Sequence, residues 1–281
     1  MENIVRTVYG AALQTALLLN RPHQIVQYTT LNEKFGVLPT ALPNLNDRLA
    51  MRYLTVGNGG HRMRTGANQL TKPDPVQHRA TDAALYNHIP LVLRLPEEDL
   101  TQADRAKYAL RREETHQGRR YYAYYAKRLD VSDAVVRMLS HIGDAAPTPF
   151  VPTSANLSPT PPDLNNQGVN VTTGEYVSAS ALVNLLLGEV DVNELLNVSR
   201  IMYEDEGYAI ISEMGLCSGV DRMTEVPGQG SSSFDFLEAI AVQCVSFVAT
   251  FFPMNIMNNG VNVALELGAT EPLLKLEGVT P

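Results

Sequence analysis

The sequence contains no tryptophan and only two cysteines, Cys217 and Cys244. Two thiols cannot build a disulfide framework, so synthesis in a reducing compartment is expected. Long apolar runs are missing as well. The longest near the start, Ala11 to Leu19, is broken by Gln14 and Thr15 and falls short of the roughly 20 residues that span a bilayer. Glu2 precedes Arg6, so no basic n-region of a signal peptide stands there. A chain made in the cytoplasm with no membrane partner is expected. Charge is scarce, at 19% of residues, with 22 basic against 30 acidic and a formal net charge of −8. That balance argues against a surface that grips nucleic acid or an anionic membrane over its whole extent.

Catalytic patterns are absent too. There is no Gly-x-Ser-x-Gly elbow. The six histidines, His23, His61, His78, His88, His116 and His141, show no i, i+4 zinc pairing, and no two cysteines sit at ligand spacing. His78, Asp82 and His88 are the one set able to converge into a metal or acid–base site; structural or exposed histidines are the simpler reading. Gly57-Asn58-Gly59-Gly60 follows a strand-like run, but His61-Arg62-Met63-Arg64 stands where a phosphate loop needs Lys-Ser or Lys-Thr. It reads as a turn or flexible loop. Glu97-Glu98-Asp99 fits a helix start, where the dipole favours acids. Both cysteines lie in apolar contexts that suit inert core thiols. These absences predict a chain that is not an enzyme and takes no cofactor, metal or small-molecule substrate.

What is present is β patterning. The 281 residues make one large domain or two small ones. The expected class is mainly β with a few helices (α+β), in antiparallel sandwich or barrel units carrying long extended arms. A first helix is expected over 8–19. Residues 32–75 carry four prolines and five glycines and read as an irregular arm with one strand, Met51 to Val56. Tyr86 to Leu95 reads as a strand and Pro96 to Glu114 as a helix with proline in its first turn. For Tyr121 to Tyr125 and Val131 to Leu139, strand and helix both stay open. Six prolines crowd residues 147–163 and mark a linker or arm. The expected division is therefore 1–146, the linker 147–163, and a C-terminal antiparallel β domain over 164–281. In that domain Tyr176 to Leu187 alternates with Val177, Ala179, Ala181, Val183, Leu185 and Leu187 on one face. Asp191 is the expected N-cap of a helix to Tyr203, with Glu194 completing a capping box. Tyr208 to Leu216 and Ala239 to Phe252 read as strands. Asn258-Asn259-Gly260 reads as the turn of a hairpin joining Met254–Met257 to Val261–Leu265.

One stretch concentrates charge. Arg105, Lys107, Arg111, Arg112, Arg119, Arg120, Lys127 and Arg128 face only Glu113 and Glu114, a local +6 that leaves −14 on the rest of the chain. Tyr108, Tyr121, Tyr122, Tyr124 and Tyr125 are interleaved. Such a mixture can stack on single-stranded nucleic acid. It is equally the composition of protein interfaces, and no nucleic-acid fold motif accompanies it. Arg105, Arg111, Arg112, Arg119, Arg120, Tyr121, Tyr122, Tyr124 and Tyr125 are the candidate interface residues, set to meet an acidic partner surface.

Four stretches, in order, resemble a known family. They are Ile4-Val5-Arg6-Thr7 running into Leu17-Leu18-Leu19-Asn20; Tyr53-Leu54-Thr55-Val56-Gly57; Asp82 to His88 with Val92-Leu93-Arg94-Leu95-Pro96 and Arg111-Arg112; and Gly207-Tyr208-Ala209-Ile210-Ile211-Ser212 with the closing segment after Met254. Together they are similar to the small, dimeric, β-rich baseplate wedge protein of T-even-type contractile-tailed phages, and more broadly to tailed-phage virion structural proteins. The family carries an acidic, aromatic-rich insertion where this chain has the shorter segment Pro147 to Pro162. The resemblance implies a virion protein of the tail or baseplate, a homo-oligomer with a dimer favoured, which binds other virion proteins through its arms and transmits rearrangement to sheath contraction. It implies no catalytic residues. The alternatives are a neck, connector or tail-completion protein near the DNA channel, and an enzyme on a β-sandwich.

Overall fold

A computed structural model describes residues 3–6, 10, 13, 14, 17, 35, 36, 49–150, 169–227, 233–255 and 260–277. The strands in chain order are β1 (Asn3–Arg6), β2 (Ala50–Gly57), β3 (His61–Thr65), β4 (Thr71–Pro75), β5 (His88–Ile89), β6 (Val92–Arg94), β7 (Tyr108–His116), β8 (Arg119–Arg128), β9 (Arg137–His141), β10 (Thr148–Pro149), β11 (Val169–Gly188), β12 (Ile210–Pro227), β13 (Ser233–Pro253) and β14 (Gly260–Glu277). Among the described residues the α-helices α1 (Gln102–Arg105) and α2 (Glu189–Tyr203) and the 3-10 turns Pro96–Glu98 and Glu206–Tyr208 interrupt them. The protein is mainly β and antiparallel with few helices, the class its patterning predicts.

The large sheet has eight strands in the order β1-β13-β12-β2-β8-β6, with β5 added to β2 and β7 to β8. β12 sits between β13 and β2 and is buried without a break from Ile211 to Val220. That is why Ile210 to Val220 reads as a nearly continuous apolar run and not as an alternating one. Three register shifts mark the β12–β13 pairing. One falls where Ala241 takes a left-handed φ of 55°, and such bulges bend and twist a long strand. The core on this sheet gathers Tyr53, Leu85, Leu93, Tyr125, Val198 and Phe247 among others.

The chain divides into two compact units, Met1–Asp130 with Leu186–Asn262, and Val131–Leu185 with Val263–Pro281. This differs from the expected contiguous division around 147–163. β12 and β13, assigned above to a C-terminal domain, pair instead with β2 and β1, and the chain crosses the boundary inside β11 and β14. The second unit holds the four-stranded sheet β10-β9-β11-β14. β14, which holds the second strand expected of the Asn-Gly hairpin, pairs with β11. Gly260 lies against Leu187 and Gly268 against Ala179, so the two strands run in opposite directions. Residues 256–259 lie outside the described residues.

Other expectations shift locally. The helix over 96–114 is replaced by a 3-10 turn, the four-residue α1 and then β7. Tyr108-Ala109-Leu110 is buried against β8, and strand pairing overrides the local helix signals. The segment 121–125, left open above, is strand, and Arg137–His141 is the strand within the second open stretch. The arm over 32–75 contains the hairpin β3–β4 besides β2; of its earlier residues, 32–34 and 37–48 lie outside the described residues. So do 151–163 of the proline-rich segment and most of the helix over 8–19, within which residues 10, 13, 14 and 17 are helical. In β11, Val183, Leu185 and Leu187 are buried as expected, but so are Ser178 and Ser180, while Ala179 is exposed. Polar partners explain the inversion: Ser180 donates to Glu266, and Ser178 shares a hydrogen bond with His141. Asp191 is not the N-cap of α2. It lies at the third position and accepts from the N–H of Gly188 at 2.8 Å, while Glu194 pairs with Arg94.

Candidate functional site

The basic, tyrosine-rich segment folds into α1, β7 and β8, and most of its charge is met inside the first unit. Asp99 takes Arg105 at 3.4 Å, Arg111 at 3.1 Å and the Tyr124 hydroxyl at 2.7 Å. Asp191 accepts from Tyr108 at 2.9 Å and Lys127 at 2.5 Å. Arg128 pairs with Asp221 at 2.8 Å, Lys107 with Asp104 at 2.8 Å, Arg120 with Glu113 at 2.8 Å, and Arg112 lies 3.8 Å from Glu114. Acids outside the segment, Asp99, Asp104, Asp191 and Asp221, thus offset four of its six excess charges. Tyr121, Tyr124 and Tyr125 are corrected from interface to core, being 8%, 0% and 3% exposed. Burial first, and then the carboxylates they donate to, push the hydroxyls of Tyr124 and Tyr125 up, so both stay neutral donors. Tyr122 is half-buried beneath the Arg111 guanidinium, 3.5 Å from its ring centre. Arg112, Arg119 and Arg120 remain exposed on the β7–β8 end.

A second cluster is built around a residue the sequence reading did not single out. Glu213 lies near the start of β12, fully buried. Its Oε1 accepts from the N–H of Gly59 at 3.1 Å and of Asn87 at 2.9 Å. Its Oε2 accepts from the N–H of Tyr86 at 2.9 Å and meets His78 Nε2 at 2.8 Å. His78 Nδ1 in turn lies 3.3 Å from Asp82 Oδ2. The His78 ring is stacked between Tyr86 and Phe247, with centroids 4.1 Å away on either side. Both ring nitrogens lie within hydrogen-bond reach of carboxylate oxygens.

This geometry accounts for the glycine cluster. A Cβ on Gly57 would stand 2.6 Å from Glu213 Oε1, and one on Gly60 would stand 2.6 Å from the Ser212 carbonyl. Within the loop the Gly59 N–H reaches the Glu213 carboxylate, while Gly60 donates to Ser212 Oγ and Asn58 to the Asn87 carbonyl, so the one anion the loop meets is the protein's own. Of the set His78, Asp82 and His88, the structure joins the first two to Glu213. His88 instead accepts from the Leu85 N–H at 3.2 Å. Among the described residues no group of three His, Cys, Asp or Glu is arranged to hold a metal ion. The His78 and Glu213 side chains are wholly enclosed, so what the cluster does is mechanical: it ties the loops 57–60 and 78–88 to β12. The visible signal for Glu213 was a single charge inside the apolar run Ala209 to Cys217, which a buried strand tolerates only if the charge is paired.

Asp82 gives the cluster a pH dependence. Burial raises its carboxyl, but the Arg79 N–H and guanidinium, both at 2.9 Å, together with His78 hold it below the ordinary 3.8. A folded-state value below the unfolded one means that this stabilisation is complete above pH 3.8 and is lost as pH falls through the lower folded value. The urea midpoint should therefore fall below that pH with a steeper slope for the native protein than for Asp82→Asn. Identical slopes in titrations from about pH 5 to about pH 2 would refute the role given to Asp82.

The cysteines lie opposite one another on β12 and β13, 0% and 1% exposed, with sulfurs 3.3 Å apart. The hydrogen bond with Cys217 and then burial push the Cys244 thiol up. An aromatic disulfide reagent should find no reactive thiol in the native protein within minutes and two in the urea-unfolded chain. A fast native equivalent would contradict this burial. A cleft between α1 and the β12–β13 ribbon, lined by Arg105, Met223 and Leu237, measures about 100 Å³, less than the roughly 300 Å³ at which ligand sites begin.

No curated protein and no solved structure matches the chain. A family model matches it over residues 1–280, and the chain belongs to that family, DUF7208, a family of unknown function.

Proposed function

We propose that this chain is a structural subunit of a contractile phage tail, a baseplate wedge component that works as a homo-oligomer by holding neighbouring virion proteins. The observation that carries this reading is where its side chains are spent. The groups suited to chemistry, Glu213, His78 and Asp82, are enclosed and bonded to one another. Large apolar residues, by contrast, stand exposed in the second unit: Val135, Val136, Met138, Ile142 and Leu182 are all more than half exposed. Apolar side chains left in water at this density mark surface meant for partners. The ordered likeness of the four stretches named above adds the particle. The alternative of a subunit facing DNA loses its main support, because the basic segment is paired with Asp99, Asp191 and Asp221.

Mass spectrometry of density-purified particles of the encoding phage tests this. The chain should be present, and immunolabelling should mark the end of the tail. Purified particles without it would overturn the assignment. Sedimentation equilibrium of the isolated chain should give twice 30.8 kDa.

A further inference from the structure

The hairpin β3–β4 forms its own two-stranded sheet. Its bonding pattern follows from two anchors. At the turn, the Gly66 N–H donates to the Leu70 carbonyl at 2.9 Å; at the base, the Val76 N–H donates to the Gly60 carbonyl at 2.8 Å. Between them Arg62 faces Asp74, Met63 faces Pro73 and Arg64 faces Lys72. In an antiparallel ladder, bonded and non-bonded pairs alternate. Arg62/Asp74 and Arg64/Lys72 are therefore the bonded pairs. His61/Pro75, Met63/Pro73 and Thr65/Thr71 are not, which agrees with prolines that have no N–H to give.

The two outer edges of the hairpin consequently differ. On β4, Pro73 and Pro75 remove two of the outward donors and close that edge. On β3, the N–H and C=O groups of Met63 and Thr65 point away from β4, and among the described residues no other strand takes them. One face of the hairpin carries Arg62 and Arg64, with side chains 71% and 65% exposed, beside Lys72. Asp74, 3.7 and 3.8 Å from the two arginines, is the one acid there. The opposite face carries Met63, 61% exposed.

We propose that the outer edge of β3 docks an extended, alternately acidic and apolar segment of a partner protein by strand addition. Backbone bonds to Met63 and Thr65 supply the pairing. Carboxylates on alternate residues of the added strand meet Arg62 and Arg64, and its apolar residues cover Met63. A second copy of β3 fits badly, because antiparallel pairing about Met63 sets Arg62 opposite Arg64 of the copy. Generic attraction to acid is not at work either, since the whole chain carries −8. The inference does not rest on the virion assignment.

The test uses the full chain and a fluorescent, N-acetylated peptide of about eight residues alternating Glu with Val and Thr, compared with its Lys counterpart. The Glu peptide should bind saturably and the Lys peptide should not. Met63→Pro deletes an outward N–H without touching the ladder to β4 and should weaken binding about fivefold to tenfold. Should that variant fold poorly by circular dichroism, Arg62→Glu/Arg64→Glu leaves the backbone intact and should transfer preference to the Lys peptide. No saturable binding of the Glu peptide, equal binding of both peptides, or charge reversal without effect would each overturn the proposal.

Discussion

Glu213→Ala is expected to destabilise the unit Met1–Asp130 with Leu186–Asn262 by about 5 kcal/mol, at the exceptional end for a single substitution. The carboxylate is the common acceptor for Gly59, Tyr86, Asn87 and His78. Its removal leaves four buried donors without a partner. Each orphaned donor costs about 1–3 kcal/mol, and the sum is less than fully additive because the loops relax. At about 2–4 °C per kcal/mol the melting temperature falls by about 10–20 °C. The discriminating variant is Glu213→Gln. It keeps the shape, and for an ordinary buried carboxylate it is mild. Here each oxygen accepts from backbone N–H groups, so whichever way the amide turns, its NH2 faces the N–H of Tyr86 or those of Gly59 and Asn87. Gln should therefore be nearly as damaging as Ala. A melting temperature for Glu213→Gln within about 3 °C of the native protein would show that the cage does not depend on an anion.

The same cluster shows what was legible in the sequence and what was not. Class and strand content were readable because β12 and β13 bury both faces, and runs such as Ala239 to Phe252 record this directly. His78 and Asp82 were flagged by residue type, and the structure joins them. Glu213 was not, because it lies 135 residues from His78 and only the pairing of β12 with β2 brings it to the glycine loop. Long-range registers of this kind leave no local trace. The pairing of β14 with β11 was missed for a related reason. Turn chemistry says where a chain can reverse, not which strand will then accept the bonds, and β11 competed for β14. The +6 segment misled because charge was summed along sequence, whereas Asp99, Asp191 and Asp221 offset half of it in space. The tyrosines there fall on both faces of β8, and both faces are buried over residues 123–126, so Tyr124 and Tyr125 are enclosed alike. Aromatic clusters in strands are core until exposure is shown.

Phe247→Ala is expected to cost about 3–5 kcal/mol, the range for deleting a fully buried aromatic ring. Phe247 is 1% exposed and lies on β13 opposite Gly215 of β12. A Cβ on Gly215 would come within 2.7 Å of Thr55 Oγ1, so that neighbour cannot grow to refill the space. The ring also forms one wall of the His78 slot. Its loss opens a void beside a charged network, where water can enter and weaken the His78–Glu213 pairing by raising the local dielectric. Phe247→Leu retains most of the volume and should cost less than about 1.5 kcal/mol, close to that of a volume-conserving swap. The coupling is the sharper test. If the ring and the carboxylate support one structure, Phe247→Ala combined with Glu213→Ala should cost less than the two single losses together, by about 1–3 kcal/mol, because each alone already dismantles what the other holds. Strict additivity in urea denaturation would mean that the core and the cage are independent, and that Phe247 contributes through apolar burial alone.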